Sequence, residues 1–277
     1  NATIRANVAH PIITWSVDPV DWKYHNADTV YNNIMKNAAD GSIILLHDIY
    51  QTSVQGGLRA IDTLKSNIKT QGRTAMVRGT LMLDFSISGV EFELDCAGDV
   101  YATFNTRKLS SSSADGGLYF TIIVDGQKLA RDYCHLTSVG ETKVKLASDL
   151  PAGKHTFAIY RQSEHSYGEI GVCALSYVGE MLAKPADKGL YVEFIGDSIS
   201  CGYGNIGNDG SAVNSDGTQA YTYYTAQALN ADWSTVSWSG LGCKYGYSST
   251  TMQDVYPVQR YNYDKTTLYD FSNEPNI

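Results

Sequence analysis

The sequence lacks any apolar run long enough to cross a membrane, and it lacks an excess of positive charge. None of its stretches reaches the ~18 apolar residues that a membrane-spanning helix needs. The 277 residues carry a formal net charge of −8, with a pI near 5.2. An acidic chain is poorly suited to bind polyanions. We therefore expect neither a membrane nor a nucleic acid among its partners.

Metal ligands and paired cysteines are also scarce. The five cysteines are Cys96, Cys134, Cys173, Cys201 and Cys243. Their spacing matches no zinc pattern, and the odd number leaves at least one thiol unpaired within a monomer. No histidine pair has metal-ligand spacing. The sequence thus predicts no metal site and leaves disulfide pairing open. The chain starts at Asn1 without a methionine or signal peptide, as expected of a mature or truncated product.

The first 66 residues have an α/β pattern. A short strand at 10–15 and a buried strand at 42–46 flank a helix at 27–39, with Asn26 or Asp28 near its N-terminal cap. A second helix is expected at 54–64. Strand–helix–strand order predicts parallel pairing, with function at the carboxyl ends of the strands. Polar clusters follow both strands.

Residues 67–188 have an all-β pattern. Apolar and polar residues alternate at 79–86 and 90–95, and β-prone runs occupy 118–124, 142–146, 155–160 and 172–178. We expect a turn at 150–154, where proline and glycine interrupt the pattern. Many short strands with frequent turns predict a β-sandwich, specifically a jelly roll.

Residues 189–277 return to an α/β pattern around a candidate nucleophile. A β-prone run at 191–196 stops at Gly196-Asp197-Ser198 and is followed by a glycine-rich loop. Such a serine, exposed beyond a buried strand, is a nucleophile if a base and oxyanion donors lie nearby. The tripeptide alone fits an ordinary turn cap equally well. A helix at 218–229 and a strand at 234–238, ending at Ser239-Gly240, complete the pattern.

The motifs EFIGDSISCGYGN at 193–205 and VSWSG at 236–240 resemble two blocks of the SGNH (GDSL) hydrolases. The resemblance is to carbohydrate esterase family 2, the acetyl-xylan-esterase-like enzymes, and it includes the β-rich segment before them. It implies an α/β/α hydrolase domain in which Ser198 is the nucleophile and Gly240 donates its N–H to the oxyanion hole. It also implies that an asparagine donor and the base histidine follow Ile277, and that this half needs no cofactor.

The stretches WSVDPVDW at 15–22 and GSIILLHD at 41–48 resemble the last two motifs of the polysaccharide deacetylases, carbohydrate esterase family 4. The resemblance implies that His47 is a general acid tuned by Asp18, with Asp21 as the alternative. It also implies that Leu45 walls the acetyl pocket and that Trp22 flanks the groove. A carboxylate beside an imidazole favours the protonated ring and fixes its tautomer. The other interpretation is an ordinary ion pair at a strand end.

The early motifs of the deacetylase family, which hold its divalent metal, would precede Asn1. We therefore expect residues 1–66 to be the C-terminal part of a deacetylase barrel, residues 67–188 a jelly roll and residues 189–277 the N-terminal part of an SGNH domain. Whether the join near Asn67 is natural stays open.

The predicted function is that of a secreted esterase that removes O-acetyl groups from xylan-like polysaccharides, with this fragment nearly inactive on its own. One alternative is a carbohydrate-binding β-sandwich with degenerate flanking domains. Another is a metal-dependent deacetylase whose main domain lies upstream.

Overall fold

The chain divides into two units, Asn1–Ser66 and Asn67–Ile277. The computed structural model describes residues 15–38, 42–110, 117–247, 249–261 and 263–273. Within those ranges, no helix is long and apolar enough to cross a membrane.

Three helices form most of the described part of the first unit. They are α1 (Asp21–Tyr24), α2 (Ala27–Asn37) and α3 (Gln51–Ser66). The Asn26 side chain accepts a hydrogen bond from the Thr29 N–H at 2.9 Å and so caps α2. Buried Val30 and Ile34 lie on the inner face of α2. Both predicted helices are confirmed, although the first ends at Asn37, two residues before the predicted end at 39.

The expected strand at 42–46 is reduced to one parallel bridge, between Val17 and Ile44. The Leu45 N–H donates to the Val17 carbonyl at 2.9 Å, but Ile43 is 47% exposed. A β-strand forms when consecutive residues pair with a neighbouring strand. Among the described residues of this unit, no bridge other than Val17–Ile44 is present. The expected strand at 10–15 lies outside the described residues except for Trp15. The described part of the unit therefore has no sheet on which a barrel could be recognised.

The second unit begins with a nine-stranded antiparallel sheet. Its strands are β1 (Lys69–Gln71), β2 (Thr74–Val77), β3 (Thr80–Leu83), β4 (Gly89–Leu109), β5 (Leu118–Val124), β6 (Gln127–Lys128), β7 (Cys134–Leu136), β8 (Gly140–Arg161) and β9 (Gly168–Met181). Their order is β2-β3-β9-β4-β8-β5-β6, with β1 on β4 and β7 on β5. Alternate side chains of the central strands, such as Phe92, Phe104 and Phe157, form the core.

The turn expected at 150–154 is wrong, because those residues lie inside β8. Asp149 and Gly153 have φ values of 51° and 146°. The register with β4 shifts between Cys96 and Val100. The proline and glycine therefore mark a bulge rather than a reversal of the chain: a bulge adds a residue to one strand while the pairing continues beyond it.

The remainder of the second unit is an α/β segment that packs on the nine-stranded sheet. Its elements are β10 (Tyr191–Gly196), α4 (Ser198–Cys201), α5 (Tyr221–Ala228), β11 (Asp232–Ser237), α6 (Met252–Val255), β12 (Val258–Arg260) and β13 (Asp264–Leu268). Strands β10 and β11 pair in parallel. Phe85 packs against Val236 and Trp238, and Ile87 packs against Trp233. These contacts fix the β10–β11 pair against the β-rich segment.

Candidate active site

Ser198 lies just beyond the carboxyl end of a parallel strand. Strand β10 ends at Gly196, opposite Ser237 at the end of β11, and α4 begins at Ser198. The Asp197 side chain accepts the Ile199 N–H at 3.2 Å and caps this short helix. Ser198 is half-buried, and its hydroxyl has no hydrogen-bond partner among the described residues. A serine so placed is accessible to a substrate.

Gly240 lies beyond the end of the neighbouring strand, at the same edge of the sheet. Its φ is +77°, and its carbonyl accepts the Tyr247 N–H at 2.9 Å. Neither the Ser198 N–H nor the Gly240 N–H donates to any described residue. Two N–H groups without protein acceptors, beyond adjacent strand ends, can bind an anionic oxygen.

One buried carboxylate from the β-rich segment contacts both turns. Glu164 follows β8 and is 4% exposed. Its Oε2 accepts hydrogen bonds from the Ser239 N–H at 2.6 Å, the Ser239 hydroxyl at 2.9 Å and Cys201 Sγ at 3.3 Å. Burial and then the nearby Glu164 charge raise the pKa of the Cys201 thiol well above its ordinary value, so the thiol keeps its proton and donates it. The sequence motifs did not identify Glu164.

The loop that carries Glu164 also contacts the end of β11 through aromatic packing. The His165 ring lies 4.0 Å from that of Trp238, centroid to centroid. Burial, followed by the charge of Arg161, lowers the pKa of His165 well below its ordinary value. The imidazole is therefore neutral and packs as a largely apolar group against Trp238.

In the first unit, His47 is paired with Asp21. Its Nδ1 lies 2.9 Å from Asp21 Oδ1, and its backbone N–H donates to Oδ2 at 2.7 Å. Asp21 is fully buried, whereas the His47 side chain is 37% exposed. Burial acts to raise the pKa of Asp21, but the Ser53 hydroxyl and both His47 groups together hold that pKa below its usual value. The hydrogen-bonded pair thus has an accessible imidazole and an inaccessible carboxylate.

The structure does not pair His47 with Asp18. The Asp18 side chain instead accepts the Val20 N–H at 2.8 Å, within its own turn. Asp21, the alternative named from the sequence, is the first residue of α1 and points toward His47. Of the two residues expected to line a pocket, Trp22 is 51% exposed and Leu45 is partly buried. Their expected roles stay predictions.

The described residues do not fit the metal that the deacetylase resemblance implies. They contain no group of three or more histidine, cysteine, aspartate or glutamate side chains placed to hold a metal ion. His47 and Asp21 bind each other instead.

The mostly β, partly α/β fold of the second unit is similar to that of family 2 carbohydrate esterases. It matches the structure of a family two carbohydrate esterase from Clostridium thermocellum in complex with cellohexaose, with a TM-score of 0.65 and 28% identity. The match covers 74% of this chain and 62% of the other. Residues 70–185 match the family model described as Carbohydrate esterase 2 N-terminal.

Two curated relatives are similar in sequence to different parts of the chain. Cellulase/esterase CelE of Acetivibrio thermocellus is 32% identical over 162 residues, which are 56% of this chain and 20% of CelE. Peptidoglycan-N-acetylglucosamine deacetylase PgdA of Listeria monocytogenes is 40% identical over 72 residues, 26% of this chain and 15% of PgdA. The chain is thus similar to family 2 carbohydrate esterases over residues 70–185 and, over a shorter segment, to a peptidoglycan deacetylase. It spans a fifth or less of the length of these two relatives.

Proposed function

We propose that the chain is part of a serine esterase that hydrolyses O-acetyl esters on polysaccharides, with Ser198 as the nucleophile. The observation that carries this proposal is the position of Ser198 and Gly240 beyond the ends of two adjacent parallel strands. Both residues keep N–H groups that donate to no described residue. This arrangement suits attack on a carbonyl and stabilisation of the resulting oxyanion.

In the proposed reaction, Ser198 Oγ attacks the acetyl carbonyl and forms a tetrahedral intermediate. The N–H groups of Ser198 and Gly240 donate to its oxyanion. Collapse releases the sugar hydroxyl and leaves an acetyl-serine, which water then hydrolyses to acetate. A histidine base takes the serine proton and passes it to the leaving sugar oxygen. The family 2 resemblance implies that this histidine lies outside the described residues. The reaction requires no metal.

The proposed substrate is an extracellular acetylated plant polysaccharide of the xylan type. A family two neighbour is in complex with cellohexaose, which supports a polysaccharide ligand for this fold. The proposal also assigns residues 67–188 to a jelly roll, residues 189–277 to an SGNH α/β/α domain and residues 1–66 to the end of a deacetylase barrel. The family-model match over residues 70–185 supports treating the first of these segments as a domain of its own.

The test is acetate release from acetylated xylan by the full-length protein and its Ser198→Ala variant. We expect a loss of at least about 1,000-fold in kcat, because no second nucleophile acts in the proposed reaction. Ser200→Ala is the matched control, since Ser200 lies in the same turn and bonds Tyr221 at 2.9 Å. It should retain most of the activity.

Two outcomes would favour a different function. Affinity for acetylated xylan without turnover in the wild-type protein would indicate a carbohydrate-binding module. Retained turnover in Ser198→Ala that is lost in His47→Ala would indicate a deacetylase, the activity for which the His47–Asp21 pair is suited.

A further inference from the structure

The carboxylate of Glu164 connects the two turns of the candidate active site. Its Oε2 accepts from the N–H and hydroxyl of Ser239, the residue directly before Gly240. The same oxygen accepts from Cys201 Sγ, in the last residue of the helix that begins at Ser198. No ion pair within 4.0 Å joins Glu164 to a cationic side chain among the described residues. Glu164 Oε1 accepts a further hydrogen bond, from the Ser166 hydroxyl.

The connection on the Ser198 side is reinforced from the β-rich segment. Cys201 Sγ also lies 3.4 Å from the Ser198 carbonyl oxygen. The Ser86 hydroxyl donates to the Cys201 carbonyl at 2.8 Å. The end of α4 is therefore held on both its side chain and its backbone by residues that precede β10 in the chain.

A fully buried arginine fixes the loop that carries Glu164. The Arg161 guanidinium donates to the Ser163 carbonyl at 2.8 Å, the Glu164 carbonyl at 2.6 Å and the Gly168 carbonyl at 3.0 Å. Because several backbone carbonyls of the loop accept hydrogen bonds from one planar guanidinium, the loop conformation is restricted. The Glu164 carboxylate consequently keeps a fixed place relative to the nine-stranded sheet.

We propose that Glu164 is a positioning residue that sets the distance between Ser198 and the Gly240 N–H, an inference that rests on the esterase function proposed above. Because it accepts a hydrogen bond from the Ser239 N–H, the carboxylate fixes the peptide group directly before the one that carries the Gly240 N–H. By accepting from Cys201, it fixes the short helix whose first residue is the nucleophile. Glu164 itself contacts neither the Ser198 hydroxyl nor the reacting atoms.

The kinetic test uses Glu164→Ala and Glu164→Gln in the full-length protein. Alanine removes every acceptor, and a displacement of the donor peptide by ~1 Å can lower kcat on the order of 100-fold, with KM nearly unchanged. The glutamine oxygen can still accept from Ser239 and Cys201, while the Ser166 hydroxyl turns to accept from its amide. We expect Glu164→Gln to recover most of kcat with an unchanged pH profile. Equal losses in the two variants, or a shifted pH profile, would overturn the proposal.

Hydrogen exchange in the 277-residue chain provides a test that does not depend on activity. In Glu164→Ala, the Ser239 amide should exchange at least about tenfold faster, because its acceptor is gone. The Arg161 amide, which donates to the Ser88 carbonyl at 2.9 Å, should keep its protection and report an intact sheet. Ser166→Ala, which removes only the bond to Oε1, is the matched control and should leave Ser239 protected. Undiminished protection of Ser239 in Glu164→Ala would contradict the proposal.

Comparison with Ser198→Ala separates failure of this inference from failure of the proposed function. If Ser198→Ala abolishes hydrolysis while Glu164→Ala stays within about twofold of wild type, the positioning role is wrong and the esterase function stands. If Ser198→Ala keeps full activity, the esterase function is wrong, and the positioning role falls with it whatever the exchange of Ser239.

Discussion

At the scale of single residues, Gly240 combines two features that only glycine tolerates. Its φ of +77° is in the left-handed region, and a Cβ atom there would lie 2.8 Å from the Tyr247 Cβ. The first feature costs any L-residue roughly 1–2 kcal/mol. The second forces the 240–247 turn to move. A donor peptide at this position therefore depends on glycine for both its conformation and its surroundings.

Gly240→Ala should consequently lose both stability and esterase activity. Gly79→Ala is a matched control, because Gly79 lies between β2 and β3 with a φ of +79°, and a Cβ atom added there would meet no atom within 4 Å. We expect Gly79→Ala to lose about 1–2 kcal/mol of unfolding free energy from its backbone conformation alone. Gly240→Ala should lose more, because Tyr247 must also move, and it alone should lose kcat. Urea denaturation and acetate release measure the two effects. Equal activity in the two variants would argue against a role of the Gly240 N–H.

His155 makes the β-rich segment sensitive to pH. Its Nδ1 lies 2.7 Å from Asp125 Oδ2, and its Nε2 lies 2.9 Å from the Pro151 carbonyl oxygen. Two acceptors require two donors, and only the protonated ring supplies both. The hydrogen bond to Asp125, and then that to Pro151, raise the pKa of His155.

A raised pKa means that the folded protein binds this proton more tightly than the unfolded chain. The stabilisation is fully present below the unfolded pKa of about 6.5 and is lost as the pH rises through the higher folded pKa. We expect the unfolding free energy to fall by about 1 kcal/mol over that interval, a modest value because Asp125 is 44% exposed. Urea denaturation at pH 5 to 9 measures it. Asp125→Asn should flatten the profile, and an unchanged profile would contradict the pairing.

Residues with local signals could be predicted from the sequence, and residues defined by distant contacts could not. The position of Ser198 beyond a strand follows from the break at Gly196-Asp197. The choice between Asp18 and Asp21 depends on which carboxylate completes a turn and which one is buried, and spacing alone cannot decide it. Glu164 contacts Ser239, 75 residues away in the sequence, and no local pattern marks such a pair.

At the scale of elements, Arg73 connects the start of β2 to the C-terminal strands. Its guanidinium carbon lies 4.0 Å from the Tyr269 ring centre and 4.7 Å from that of Tyr256. Its Nη2 lies 3.3 Å from Glu193 Oε1, on β10, and neither side chain is more than 4% exposed. The arginine thus pairs with a carboxylate and stacks on aromatic rings in one buried place.

Arg73→Met should be strongly destabilising, because it leaves the buried Glu193 carboxylate without its cation. Breaking a buried ion pair on one side costs about 3–5 kcal/mol. The double variant Arg73→Met/Glu193→Gln is the control, and we expect it to recover part of that loss since no buried charge is left unpaired. Chemical denaturation of the wild type, Arg73→Met, Glu193→Gln and the double variant measures the coupling. Additive losses would show that the two residues stabilise the fold independently.

Element boundaries were less predictable than element types. Strands β5 and β10 coincide with the β-prone runs that predicted them, because each run is short and ends at a turn. Strand β8 continues through Pro151 and Gly153, because its pairing with β4 resumes beyond the bulge. The strand expected at 42–46 failed for the opposite reason: its apolar residues find only one bridge among the described residues.

At the scale of the whole molecule, the chain combines a segment similar to family 2 carbohydrate esterases with a shorter segment similar to a peptidoglycan deacetylase. The proposed esterase reaction uses a serine hydroxyl and backbone N–H groups of the second unit. The His47–Asp21 pair belongs to the first unit. The two units can therefore be tested by separate variants of the same protein.

Chelation should leave the Ser198-dependent hydrolysis unchanged, because its nucleophile and oxyanion donors are protein groups. Acetate release from acetylated xylan by the full-length protein is measured before and after dialysis against EDTA, with Asp21→Asn assayed in parallel. We expect kcat within about twofold in all three samples. A large loss on chelation that added zinc restores would instead assign the activity to metal-dependent chemistry.

The most direct test of the central claim is to identify the residue that becomes covalently modified. The full-length protein is treated with a serine-directed organophosphonate ester, and its peptides are analysed by mass spectrometry. We predict one adduct, on Ser198, whose formation acetylated xylan slows and Ser198→Ala abolishes. An active protein that forms no adduct, or forms it on another residue, would contradict the account.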